Sequence, residues 1–138
     1  MSRENVERLQ ALYAELARGN FRGSGDLLAA DVVYEPFSDG RRAYRGPEAV
    51  ANYMREFLAQ WSDFRIEARE FAEMGEAVLV TERQRGRGKS SGVETEMTFY
   101  ATWIFRGGQV VRVRWNSDRD SALEVAKELQ VRHPQISE

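Results

Sequence analysis

The stretch from Ala77 to Asn116, AVLVTERQRGRGKSSGVETEMTFYATWIFRGGQVVRVRWN, decides the fold. AVLVTERQR (77–85) and VETEMTFYATWIF (93–105) flank the loop GRGKSSG, and QVVRVRWN (109–116) follows the turn Arg106-Gly107-Gly108. Each segment reads as a strand returning beside the one before it. Successive strand side chains point to opposite sides, so Met97, Phe99, Ala101, Trp103 and Phe105 share one face while Glu96, Thr98, Tyr100, Thr102 and Ile104 share the other. The first set predicts the interior. On the last strand Val111, Val113 and Trp115 make the matching set, opposite Arg112, Arg114 and Asn116.

Upstream, DFRIEARE (63–70) alternates Phe64, Ile66 and Ala68 with charged residues and adds a fourth strand to an antiparallel meander. Before it, Gly46-Pro47 opens a helix expected to reach Ser62, with Val50, Met54, Phe57 and Trp61 along one stripe and Tyr53 on its shoulder. DVVYEPF (31–37) predicts a strand whose Pro36 puts it at a sheet edge or strand end, and a short helix is expected around Asp26 to Ala30. Val6, Leu9, Leu12, Tyr13 and Leu16 recur at helical spacing until Gly19-Asn20 stops them. Helical spacing returns at Leu123, Ala126 and Leu129, with Ser121 and Glu124 spaced as a capping box. Helices alternating with, then giving way to, a run of strands predict an α+β fold: a cone-shaped, curved antiparallel sheet with helices packed on its concave face, in one domain over 1–138.

Composition bounds the function. The 138 residues are 42% hydrophobic and 30% charged with no cysteine, enough to enclose a core without disulfides. With 20 Lys plus Arg against 22 Asp plus Glu, the net charge of -2 argues against a dedicated nucleic-acid module. No apolar run of membrane-spanning length occurs, and the charged N-terminus MSRENVERLQ does not resemble a secretion signal, so a cytoplasmic protein is expected.

The ordered elements, together with VVYEP, RGPEAVANYM, QRGRGKSSGVETE and TWIFRGGQVVRVRWNSDRDSALEVA, resemble the nuclear-transport-factor-like α+β cone superfamily, and most of all its SnoaL-like members. That superfamily includes ketosteroid isomerase, limonene-epoxide hydrolase and polyketide cyclases. The resemblance implies a cofactor-independent fold built around a hydrophobic pocket, and family members commonly form homodimers. A homodimer is expected here through the uncharged strip Thr98, Tyr100, Thr102 and Ile104.

Phe57 and Trp61 of the helix, with the interior strand residues, predict either a filled core or an aromatic cavity for a small hydrophobic molecule. The candidate ligand-binding residues are Tyr13, Tyr53, Phe57, Trp61, Met97, Phe99, Trp103, Val113 and Trp115. Glu35 is the candidate catalytic residue. It shares a face with Val33 and Phe37; if that face looks inward, burial raises its carboxyl toward neutrality, as a general acid or base requires. If Val32 and Tyr34 look inward instead, Glu35 is a solvated edge charge. The resemblance implies that Glu35-Pro36 falls where ketosteroid isomerase carries its proton-shuttling carboxylate. It also implies that the isomerase's oxyanion-holding acid and tyrosine fall on Ala101 and Leu12, so steroid isomerisation is not expected.

Glu82, Arg83 and Asp118 could serve a hydrolase only if they converged, and Asp118 fits the start of the last helix. The alternating Arg83, Arg85, Arg87 and Lys89 with Glu94 and Glu96 reads as cross-strand charge pairing. His133, the only histidine, is expected beyond the last helix, and no spacing suggests a metal site. The chain therefore reads as a cofactor-independent isomerase, cyclase, lyase or hydrolase of a small hydrophobic molecule, or as a non-catalytic binding or dimerisation module of the same fold.

Overall fold

The computed structural model describes residues 2–21, 26–37 and 42–136, with side chains in the last helix described as far as Leu129. The elements run α1 (Ser2–Ala17), β1 (Leu28–Glu35), β2 (Tyr44–Arg45), α2 (Pro47–Leu58), β3 (Trp61–Met74), β4 (Ala77–Gly88), β5 (Glu94–Arg106), β6 (Gln109–Asn116) and α3 (Arg119–Ile136). The strands form one six-stranded sheet in the order β2-β1-β6-β5-β4-β3. The meander from β3 to β6 is antiparallel as its turns dictate. The sheet as a whole is mixed, because β1 lies parallel to β6, with Tyr34 opposite Val113 and Glu35 opposite Arg114.

Three local expectations are corrected. The segment expected as a helix at 26–30 enters β1 at Leu28, whose both-sides burial favours an extended chain. The second helix stops at Leu58, where Ala59 and Gln60 bond back to Arg55 and Phe57, and Trp61 begins β3 opposite Gly88. The helical stripe thus continues onto a strand, and Phe57 and Trp61 remain in ring contact at 6.1 Å. The last helix is capped not by the Ser121–Glu124 box but by Asp118, which fits its start: Asp118 accepts from the Ser121 backbone N–H at 2.8 Å and from its hydroxyl at 2.8 Å. That helix runs through His133 and Pro134 to Ile136; the side chain of His133 lies outside the described residues.

Helices occupy both faces of the sheet, not the concave face alone. The inner face holds α1 and α2 over a core that includes Leu9, Val32, Val78, Val80, Phe105 and Val113. On the outer face α3 buries Val125, Ala126 and Leu129 against Ala29, Ala77, Ile104 and Val111. Val111, expected inside, is on this outer side because β6 carries a bulge: Phe105 pairs with Val110 and Ile104 with Arg112, leaving Val111 as the extra residue. The uncharged strip is also narrower than expected. Thr102 and Ile104 are buried, with Thr102 bonding the Ala122 carbonyl in α3, so only Thr98 and Tyr100 stay accessible.

Gly46, at φ 87°, makes the entry to α2 in a backbone region that side-chain-bearing residues rarely adopt, and its N–H bonds the Val32 carbonyl at 2.8 Å. This anchors α2 across the β1 end of the sheet, which is what roofs the site. Among the described residues no helix is long and apolar enough to cross a membrane.

Candidate functional site

Alternation along β4 sends Val78, Val80, Glu82, Gln84 and Gly86 to the inner face and places a carboxylate in the middle of an apolar row. Glu82 is 1% exposed, the most buried charged side chain described. Its Oε1 accepts from Trp115 Nε1 at 2.9 Å and from Gln84 Nε2 at 2.9 Å, and its Oε2 accepts from the Tyr13 hydroxyl. Trp103 Nε1 in turn donates to the Tyr13 oxygen at 3.0 Å, which commits the Tyr13 proton to Glu82. Burial pushes the Glu82 carboxyl above its ordinary value, and the bonds from Tyr13, Gln84 and Trp115 pull against that rise. Burial, then the Glu82 charge, holds the Tyr13 hydroxyl well above its usual range.

This cluster lies behind an apolar cavity of about 180 Å³ roofed by α2 and walled chiefly by the rings of Tyr34, Tyr53, Phe57, Trp61, Phe64 and Trp115. A smaller chamber of about 70 Å³ adjoins it, sharing Tyr34, Met54, Ile66 and Trp115, and reaches Glu82 and Trp103. Tyr34 stands where the two spaces meet, its ring 4.9 Å from that of Trp115. Its hydroxyl donates to Met54 Sδ at 3.3 Å, a weak acceptor. Burial raises its pKa well above the usual value, with Tyr53 and Glu82 adding to the shift.

Gly86 is part of the wall. A Cβ at this position would fall 2.7 Å from Trp61 Cε3 and 2.8 Å from Phe64 Cδ1, so both rings lie directly on the bare strand. The mouth is flanked by Phe37 and Met97, which are 46% and 47% exposed.

Of the residues expected to bind a ligand, Tyr53, Phe57, Trp61, Met97, Phe99 and Trp115 line the main cavity. Trp103 lines the inner chamber. Tyr13 acts on the site through Glu82, and Val113 is fully buried in the core. Glu35 is brought elsewhere. Val32 and Tyr34 take the inner face, so Glu35 points to the outer one, where Arg112 Nε and Nη2 bond its two oxygens at 3.2 Å each. Phe37 nonetheless reaches the cavity, because β1 ends at Glu35 and the alternation ends with it.

Asp118 is an exposed helix cap, and the hairpin arginines are paired, Arg83 with Glu96 at 2.8 Å, Arg85 with Glu67 at 3.3 Å and Arg87 with Glu94 at 2.6 Å. Glu82, Arg83 and Asp118 do not converge. Among the described residues no cluster of His, Cys, Asp or Glu suited to a metal ion is present. Glu82, which the sequence offered only in a set with Arg83 and Asp118, had its inward position signalled by the same alternation that identified the inner face of β5.

A family model described as the SnoaL-like domain matches residues 9–113. An NTF2-like protein of unknown function from Burkholderia pseudomallei is 22% identical, the match covering 89% of this chain and 97% of that one, with a TM-score of 0.74. TerC, co-crystallised with polyporic acid, is 20% identical over 90% of this chain and 98% of its own, with a TM-score of 0.72. A protein from Jannaschia sp. described as a SnoaL-like polyketide cyclase is 19% identical over 89% and 90%, with a TM-score of 0.72. At these identities the likeness is one of fold. No curated protein matches the chain.

Proposed function

The chain belongs to the SnoaL-like domain family, and from that premise we propose that it binds a small, largely apolar organic molecule in the aromatic cavity and moves a proton on it with the Glu82 carboxylate. The observation that carries this reading is a carboxylate 1% exposed, held by Tyr13, Gln84 and Trp115, on the wall of the inner chamber of about 70 Å³ that adjoins the aromatic cavity. Burial favours the protonated carboxyl and the three donors favour the anion, the two forms between which an acid/base residue works. A cavity of about 180 Å³ is below the roughly 300–1,000 Å³ of drug-sized sites, which suits a small ligand.

In this reading Glu82 takes a proton from a carbon or oxygen next to a polarised group and returns it at another atom of the same molecule. This is the proton balance of an isomerisation or an internal cyclisation, and it draws on no cofactor. Tyr34 can exchange its thioether contact for a bond to the substrate oxygen on which charge develops. TerC, co-crystallised with polyporic acid, and the Jannaschia protein, described as a SnoaL-like polyketide cyclase, share the fold and are in keeping with a small organic ligand.

The test is deuterium uptake, followed by NMR in heavy water, at carbons next to the carbonyl in a panel of small apolar ketones and lactones with and without an amino group. Uptake above the buffer rate, lost in a folded Glu82→Gln protein, is expected. Uptake equal in the two proteins would remove Glu82 from the chemistry. The second reading, a binding module without turnover, has its own support: both Glu82 oxygens already accept bonds from the protein. It predicts ligand binding with no exchange anywhere in the panel.

A further inference from the structure

We propose, resting on the reading of the cavity as a ligand site, that its occupant is a small organic cation, an ammonium group carried on an apolar frame. Among the described residues lining the main cavity and the inner chamber, Glu82 is the only side chain that carries a full charge; no Lys, Arg or His lines either space. Among the described residues Glu82 has no cationic partner. Its bonds come from a phenol, a carboxamide and an indole, all neutral.

The same bonds favour the anion, against the burial that favours its protonated form. Oε1 takes two N–H donors that cannot accept a proton back, and the Tyr13 hydroxyl, already accepting from Trp103, directs its own proton at Oε2. Both Gln84 and Trp115 also line the main cavity, so the negative charge stands one hydrogen bond behind the wall on two sides.

The wall itself adds to the selection. Aromatic rings present a negative π face, which attracts a cation and does little for a neutral group. The rings of Tyr34, Tyr53, Phe57, Trp61, Phe64 and Trp115 enclose the space that the carboxylate field enters. In so apolar a site that field is weakly screened, so it favours a cation, leaves a neutral molecule indifferent and repels an anion. The arginines of the β4–β5 ribbon do not reverse the sign, since Arg83, Arg85 and Arg87 are each paired with a glutamate outside the cavity.

The test compares three probes of nearly one shape: choline, its neutral carbon isostere 3,3-dimethylbutan-1-ol, and 3,3-dimethylbutanoate. Binding to the full chain is followed by tryptophan fluorescence, Trp61 and Trp115 being in the wall, and by calorimetry. Choline is expected to bind at least about tenfold more tightly than the alcohol, with the carboxylate weakest. Glu82→Gln should abolish the difference between choline and the alcohol while keeping the alcohol's affinity.

Should that variant fail to fold, Thr95→Lys serves, because Thr95 lines the cavity on a partly exposed strand position. It should weaken choline at least about tenfold and the alcohol little. An alcohol that binds as tightly as choline overturns the charge selection and leaves the apolar ligand site standing. Failure of all three probes overturns both. A preference for choline that survives in folded Glu82→Gln overturns the assignment to Glu82, and choline binding that Thr95→Lys leaves unweakened overturns the charge selection.

Discussion

Replacing Tyr13 by phenylalanine tests the buried cluster most directly, because the ring stays and only the hydroxyl is lost. That oxygen makes two bonds, donating to Glu82 and accepting from Trp103 Nε1, and all three residues are buried. A hydrogen bond to a charged group contributes about 1.5–3 kcal/mol, and leaving a buried N–H without a partner costs about 1–3 kcal/mol. Because the two terms overlap and the site can relax, a loss of about 3 kcal/mol is expected. For a chain of 138 residues this lowers Tm by on the order of 10 °C.

The loss depends on pH in a definite direction. Burial raises the folded-state carboxyl of Glu82 above its unfolded value, so the stability tied to its protonation is fully present below the unfolded pKa of about 4.3 and disappears as pH rises through the folded value. Tyr13 supplies one of the bonds that support the anion, so its removal costs more on the alkaline side of that window than on the acid side. Urea melts of both proteins near pH 4 and near pH 8, on either side of the unfolded value of about 4.3, measure the difference. A variant within about 0.5 kcal/mol of its parent at both pH values would refute the reasoning, since that is the range of a surface substitution.

Gly86→Ala should lower stability by about 1–3 kcal/mol and weaken cavity ligands in order of their size, because Trp61 and Phe64 must give way into the space; melts and affinities for a graded series of ligands check both. Glu35→Gln should cost about 1–3 kcal/mol by leaving the Arg112 guanidinium short of its partner, and should leave cavity affinity unchanged, which calorimetry reads. Asp118→Ala should lower Tm by uncapping α3. The backbone and side-chain bonds from Ser121 lower the Asp118 pKa, so in the parent this contribution is present above the unfolded value of about 3.9 and lost as pH falls through the folded one; acid-side melts of the two proteins should converge.

Much of the architecture could be read from strand periodicity. Trp103, Phe99 and Ala101 face inward as their alternation requires, and the charged hairpin is paired as its sequence suggests. Where the reading went astray, a long-range partner or a local irregularity decided. The inner face of β1 depends on β6, far along the chain, and both faces of β1 carry apolar side chains, so periodicity alone left Glu35 and Tyr34 as equal candidates. Val111 obeys a bulge that no residue type announces. Trp61 continues a helical stripe although the helix has ended, because the strand that follows returns the chain to the same wall. The inward position of Glu82, named only beside Arg83 and Asp118, was legible: it is in phase with Val78 and Val80, and an acid in phase with core valines is the residue to examine first.

The parallel pairing of β1 with β6 also fixes an order of assembly. Arg112 and Glu35 are 77 residues apart, and Tyr13 and Glu82 are 69 apart, whereas the meander closes through tight turns between neighbours. Loop closure favours the short connections, so β3 to β6 can pair as a local unit while β1 has only the two-residue β2 beside it. On the ribosome, β1 emerges long before the strand that covers its other edge. Val32 and Tyr34 then belong to an uncapped apolar segment until Gln109 to Asn116 has been made. Any pause in translation upstream of Gln109 prolongs that exposure, and a chain terminated there leaves its first strand as a template for aggregation.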